Sequence, residues 1–166
     1  MTSPERWAYL AEGNAKQARK RVAAKVLLRD QSDRLLLVNP NYKSWWDLPG
    51  GMAEANEAPR AAAEREVREE LGLHLVTGAL LCVDWVAARG PWDDHLVFVF
   101  DGGVLTESQV DGLALADDEL TGFEFVRADV AQQRLRPDVA ERTDRALAAV
   151  AAGRTSYQQY DDPSHT

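Results

Sequence analysis

The residues from Glu57 to Leu71 read as the best-delimited helix in the chain, with Asn56 as N-cap, Pro59 tolerated in the first turn and Gly72 as a left-handed stop. Glu66, Glu69 and Glu70 stand at i, i+3 and i+4, so about 100° per residue places all three carboxylates on one face. Like charges so spaced destabilise a free helix by roughly 0.2–0.5 kcal/mol per pair, unless hard divalent cations supply the missing positive charge. Carboxylate oxygens suit Mg²⁺ or Mn²⁺ better than zinc. Spacing alone describes equally well a solvated face paired with Arg60, Arg65 and Arg68. The flanking residues decide between the two.

Those flanks alternate strands with helices. Arg21 to Arg29 puts Val22, Ala24, Val26 and Leu28 on a core face, with Arg21, Ala23, Lys25, Leu27 and Arg29 opposite. Asp30 to Asp33 supplies a turn, and Arg34 to Val38 is the returning strand of a hairpin that stops before Asn39-Pro40. Trp45 to Gly51 reads as a loop. Leu73 to Ala87 and Leu96 to Phe100 are apolar and paired across Arg89-Gly90-Pro91, and Thr106 to Asp118 is an acidic connection to a short last strand, Phe123 to Val126. Asp129 and Asp138 are placed to cap helices, the second running through Ala152. A leading helix over Pro4 to Gln17 is expected to be held by Trp7 and Leu10. At 166 residues one domain is expected, organised as an N-terminal helical extension (1–20), an α/β domain (21–152) and a polar, mobile tail (153–166).

Charge and cysteine usage narrow the function. The 19 Lys and Arg against 27 Asp and Glu leave a net charge of −8, which opposes adhesion to duplex nucleic acid or to anionic membrane. The single cysteine, Cys82, forms no intramolecular disulfide and no four-thiolate zinc site, and reads as a small core residue. No apolar stretch approaches the roughly 20 residues that span a bilayer, and Pro4, Glu5 and Arg6 stand where a signal peptide needs an apolar block, so a cytoplasmic location is expected.

Read outward from the helix, the pattern is Gly51, five residues, Glu57, seven residues, then Arg65-Glu66-Val67-Arg68-Glu69-Glu70-Leu71-Gly72-Leu73. This resembles the Nudix box of the Nudix hydrolases, GX5EX7REUXEEXGU with U a bulky aliphatic, at every defined position, which by chance would occur in roughly well under one chain in a million. Trp46-Asp47-Leu48-Pro49-Gly50-Gly51 resembles the family's lead-in to the box. The resemblance covers about Arg21 to Ala152 and implies an α/β/α sandwich around a mixed sheet. It further implies that Glu66, Glu69, Glu70 and the Gly50 carbonyl hold Mg²⁺ or Mn²⁺, that Glu66 or Glu70 activates water, that Arg65 orients the carboxylates, and that Glu57 supports the loop. Nudix relatives often bring one more carboxylate over the metals from a loop, which here implies Glu119 rather than Asp117.

The reaction so implied is hydrolysis of a phosphoanhydride in a nucleoside diphosphate derivative or nucleoside triphosphate. Arg21 or Lys25 would grip a phosphate, and Trp46, with Trp45 and Trp92, offers a face on which a base can stack. His95 reads as a core or edge histidine. The proline and tyrosine that accompany ADP-ribose and diadenosine polyphosphate preferences in relatives are missing: Pro91 lies too late, and no Tyr falls between Tyr42 and Tyr157. The alternative is a nucleotide-sensing Nudix module without turnover, which an intact box disfavours. Partners are then a small nucleotide, with no duplex and no membrane, and with room for a homodimer.

Overall fold

The alternating segment becomes β1 (Arg21–Arg29), the strand from which the rest of the sheet grows. The computed structural model describes residues 3–116 and 118–160. On one side β1 takes β2 (Leu35–Pro40) antiparallel at its end and the short β3 (Gly50–Met52) antiparallel along its first half. On the other it pairs in parallel with β5 (His95–Val104), which pairs antiparallel with β4 (Leu80–Val86). With β6 (Leu120–Val126) on β2 and β7 (Ser156–Tyr160) on β4, the seven-stranded mixed sheet runs β6-β2-β1-β5-β4-β7, with β3 branching from β1.

Both faces of β1 are covered, so its alternation separates two cores rather than core from solvent. Ala24, Val26 and Leu28 pack against Ala62, Ala63, Val67 and Leu71 of α2 (Pro59–Leu71). Leu27 packs on the opposite face with Ala131 of α4 (Ala128–Arg134) and Ala140, Ala146 and Ala149 of α5 (Pro137–Ala152). This is the α/β/α sandwich expected from the sequence. Among the described residues no helix is long and apolar enough to cross a membrane.

Several expectations need correction. Asn56 does not cap α2: it sits at φ 61° in the preceding turn, and Ala58 takes the cap position without a side-chain bond. Asp129 and Asp138 lie in the first turns of α4 and α5, where each pairs with the arginine two residues before it, Arg127 and Arg136. The leading helix, α1 (Pro4–Ala15), buries none of its residues, so Trp7 and Leu10 hold nothing in place. β4 begins at Leu80 rather than Leu73 because α2 captures the intervening backbone. Arg60 Nη1 donates to the carbonyls of Thr77 and Gly78, and Glu64 accepts from the Thr77 N–H. β2 runs on through Pro40 over an irregularity at Asn39, and the acidic connection contains a one-turn helix with a capping box, α3 (Glu107–Asp111).

The largest correction is in the tail. Ser156 to Tyr160 is a strand, β7, which pairs in parallel with β4 and supplies the ladder bonds that β4's outer edge would otherwise lack. Its inward residues are Ser156, Gln158 and Tyr160, so the period of two leaves no mark in hydropathy. The remainder of the tail, 161–166, lies outside the described residues, as do residues 1–2 and Asp117.

Candidate active site

Two glycines fix where the helix carboxylates meet the sheet. Gly50 adopts φ 123°, and a side chain there would meet the Ala24 carbonyl at 2.2 Å, so only glycine brings β3 this close to β1. A side chain at Gly51 would fall 2.6 Å from the Glu66 carboxyl carbon, because Glu66 lies directly on the Gly51 backbone. One residue away, the Gly50 N–H donates to Glu70 Oε2 at 2.9 Å. Of the three clustered glutamates, Glu70 is thus bonded to Gly50 and Glu66 packs against Gly51, consecutive residues of one strand.

Arg65 organises the rest of that face. Its Nε and Nη2 bond both oxygens of Glu57, its Nη1 bonds Glu66 at 3.0 Å and Glu69 at 2.8 Å, and Nη2 reaches the Met52 carbonyl at 3.1 Å. Glu57 also accepts from the Glu54 N–H, and the Arg65 bonds chiefly, with that one, hold its pKa down at about 2. The pKa of Arg65 is raised in turn, first by Glu57. Glu66 and Glu70 shift the other way. Burial raises Glu70 to about 7 against the pull of Lys25 and the Gly50 N–H, and burial raises Glu66 against Arg65.

Below the glycines, Lys25 donates to Asp47 Oδ2 at 3.1 Å, to the Leu48 carbonyl at 3.2 Å and to the Gly50 carbonyl at 2.7 Å. All three ammonium protons therefore have partners within the protein, and they tie the loop to β1. Asp47 also takes Lys43 at 2.5 Å and the Leu48 N–H. Burial works to raise its pKa, but the two lysines hold it well below the ordinary carboxylate range. Asp47 is a residue that sequence reasoning passed over, although it stands inside the recognised lead-in.

A divalent cation fits the chemistry of this donor set. Among the described residues no three His, Cys, Asp or Glu side chains are grouped closely enough to hold a metal ion by themselves. Mg²⁺, however, keeps several waters and takes only one or two carboxylates with substrate phosphates. Glu66 and Glu70 supply hard oxygens, and the Gly50 carbonyl, bonded once by Lys25, keeps a second lone pair. Glu69 is half-exposed beside Arg65.

Beside Gly50 and Gly51 opens a cavity of about 470 Å³, a size that takes a small molecule. Arg21, Lys25 and Trp46 all line it. Arg21 lies over the Trp92 ring, 4.9 Å from its centre, and Arg134 covers Trp46 at 5.0 Å. His95 also lines it, its Nδ1 buried without a hydrogen bond, and burial followed by Arg21 lowers its pKa. Glu119 is not among the residues that line this cavity. The segment before that residue crosses the end of α2, with Ala114 N–H on the Leu71 carbonyl and Ala116 N–H on the Glu70 carbonyl, and the Glu119 carbonyl accepts from Asn41 at 2.8 Å.

The far wall was not foreseen. Asp84, fully buried on β4, accepts from Arg142 Nε at 2.6 Å and from Arg145 Nη2 at 2.7 and 2.8 Å, and Arg145 also donates to the Tyr160 hydroxyl at 3.2 Å. Arg142 and Tyr160 line the cavity. Nothing local in the sequence marks these partners, because they meet across 58 to 61 positions.

Comparison with known proteins agrees with this architecture. Diphosphoinositol polyphosphate phosphohydrolase 2 of Rattus norvegicus is 42% identical over 64 residues, 38% of this chain and 36% of the relative, so the match spans about a third of that protein's length. Among solved structures, a UDP-X diphosphatase superposes with a TM-score of 0.70 at 19% identity, over 95% of this chain and 76% of the other. The MutT protein of Methanosarcina mazei Go1 gives 0.65 at 22% identity, over 83% and 99%. The family profile described as NUDIX domain matches residues 19–150, most of the chain, which therefore belongs to the Nudix family.

Proposed function

We propose that the chain is a Mg²⁺-dependent pyrophosphohydrolase that cleaves the phosphoanhydride of a nucleoside diphosphate derivative or nucleoside triphosphate. The observation that carries this reading is the placement of two helix carboxylates, Glu70 bonded to the Gly50 N–H and Glu66 packed against Gly51, at the edge of an aromatic-walled cavity. Glu66, Glu69, Glu70 and the Gly50 carbonyl would hold the metal, with Mn²⁺ as a substitute; when bound it neutralises phosphate charge and lowers the pKa of water. Arg65 keeps the carboxylates in register, and Lys25 fixes the loop that carries Gly50. Glu66 or Glu70 takes the proton of the attacking water as oxygen bonds to phosphorus and the bridging P–O bond breaks. Glu119 completes the shell or serves as base once substrate is bound.

The cavity's charges favour a nucleotide over an inositol polyphosphate. Lys25 and Lys43 face Asp47, Arg136 faces Asp138, and Arg142 faces Asp84. Among the described residues Arg21 and Arg89 are the lining cations without a carboxylate partner, too few for a densely phosphorylated ring. Trp46 and Trp92 each have one face taken by an arginine, and the opposite face is suited to a base. A reducing cytoplasm suits the buried Cys82 thiol, whose pKa burial pushes up to about 11.

The test is hydrolysis of ADP-ribose, UDP-glucose, dGTP and 8-oxo-dGTP in ¹⁸O-water with Mg²⁺ or with EDTA. Label in a product phosphate, only with metal, supports the reading. Label on a sugar carbon, or turnover in EDTA, refutes the mechanism, and binding without turnover across the panel favours the sensing module.

A further inference from the structure

We infer that β7 is a substrate-selecting element of this site, and that Tyr160 forms the wall against which the substrate's base rests; the inference builds on the nucleotide reading above. Tyr160 is the β7 residue that lines the cavity. It is held there from three sides. Its backbone continues the parallel ladder opposite Val86, and its carbonyl accepts from the Ala87 N–H at 3.1 Å. Its hydroxyl accepts from Arg145, which the fully buried Asp84 fixes through both oxygens. Its ring stands 5.8 Å from the Arg142 guanidinium, whose Nε the same aspartate holds.

An aromatic side chain restrained at backbone, hydroxyl and face loses little freedom on meeting a ligand, which is what a binding wall requires. The surface needs no such anchoring for stability, since the neighbouring Tyr157 of β7 is left 61% exposed. The construction also spans elements in a telling way. α5 supplies Arg142 and Arg145, β4 supplies Asp84, and β7 delivers the ring beside the Arg89–Trp92 turn, whose Trp92 lines the same cavity. Two aromatic residues from sequence-distant elements thus border one space, with Arg142, 5% exposed, between the ring and the buried carboxylate. A ligand with a flat ring and oxygen acceptors at its rim matches this set of groups. A sugar diphosphate without a base does not reach for it.

The test compares wild type, Tyr160→Ala and Tyr160→Phe on the four nucleotides above and on the base-free 5-phosphoribosyl 1-pyrophosphate. Tyr160→Ala is expected to raise KM about 10- to 100-fold on the nucleotides that the wild type hydrolyses, with kcat within about threefold. Tyr160→Phe, which keeps the ring, stays within about threefold of wild type, and the base-free compound responds little to either change. Unchanged KM in Tyr160→Ala, or an equal loss on the base-free compound or in kcat, overturns the inference while leaving the hydrolase reading intact. A wild type inert on every nucleotide overturns the hydrolase reading and the inference with it. Should Tyr160→Ala lose its folded circular dichroism, Tyr160→Leu, which keeps bulk and strand pairing, carries the same comparison.

Discussion

Arg65 and Glu57 meet as a two-pronged pair, Nε to Oε1 at 2.8 Å and Nη2 to Oε2 at 3.0 Å, while the remaining Nη1 serves Glu66 and Glu69. One planar guanidinium therefore joins the turn before α2 to the carboxylates of its last two turns. Lysine is a point charge without the fork and cannot reproduce this. Arg65→Lys is expected to lower kcat about 10- to 100-fold, an effect of the size seen when groups that orient ligands are lost. Steady-state kinetics across a Mg²⁺ titration would check it; activity recovered fully by added Mg²⁺ would show that the arginine governs affinity alone.

Glu70→Gln separates charge from shape. The amide oxygen still accepts from the Gly50 N–H, and the variant removes a buried charge whose protonation burial already favours, so Tm should hold level or rise. Turnover should nevertheless fall by about 100-fold or more if this oxygen binds metal or moves the proton. Glu69→Gln should likewise lose activity at limiting Mg²⁺ with its fold retained. Full turnover by either variant at limiting Mg²⁺ contradicts its assignment.

The loop that bears Glu119 calls for a paired comparison. Glu119→Gln should reduce kcat at saturating substrate and Mg²⁺ far more than Asp118→Asn, whose neighbourhood is fixed by its carbonyl on Asn41. Equal, small effects would assign the loop to the surface.

Asp84→Ala leaves Arg142 and Arg145 without their shared carboxylate in a buried setting. Removing one partner of such a group costs about 3–5 kcal/mol. Urea denaturation of the full chain measures this, and a loss under about 1 kcal/mol would mean that water reaches the cluster.

Asp30 sets a pH dependence. Burial works to raise its pKa, yet the N–H groups of Arg34 and Ser32 and the Arg34 guanidinium hold it below the ordinary range. A group depressed in the folded state adds stability above its unfolded pKa of about 4, and that increment disappears as pH falls through the folded value. The Tm gap between wild type and Asp30→Asn should therefore be open at pH 6 and shrink steadily below pH 4. A gap independent of pH would point to the turn's shape rather than its charge.

The glutamate face of α2 was legible in the sequence because it obeys a local rule, helical spacing, and Gly50 and Gly51 were legible as part of the lead-in to the box. The alternation of β1 was legible too, although its second face turned out to be another core. What escaped has a common physical origin. Asn56 reads as a cap by residue type, but a proline at 59 and the Glu57 bonds set the helix start two residues on. Leu73 to Ala79 reads as strand by apolarity, but Arg60 and Glu64 hold its backbone to α2. Tyr160 and Arg142 became cavity residues only when β4, α5 and β7 came together, and no periodicity within any one segment records that event.

The central pairing of the sheet joins Arg21 to His95 and Lys25 to Val99, a separation of more than 70 positions. During synthesis, β1, β3 and α2 leave the ribosome well before their main support exists, and a parallel ladder of such long range must await closure of that loop. An N-terminal fragment ending before β5 would hold every residue of the box and the β1 face on which α2 packs, but not the strand that pairs along the whole of β1. Metal affinity should therefore be acquired late and all at once, and refolding followed by hydrogen exchange should show the Gly50 and Gly51 amides gaining protection together with those of β5 rather than with α2.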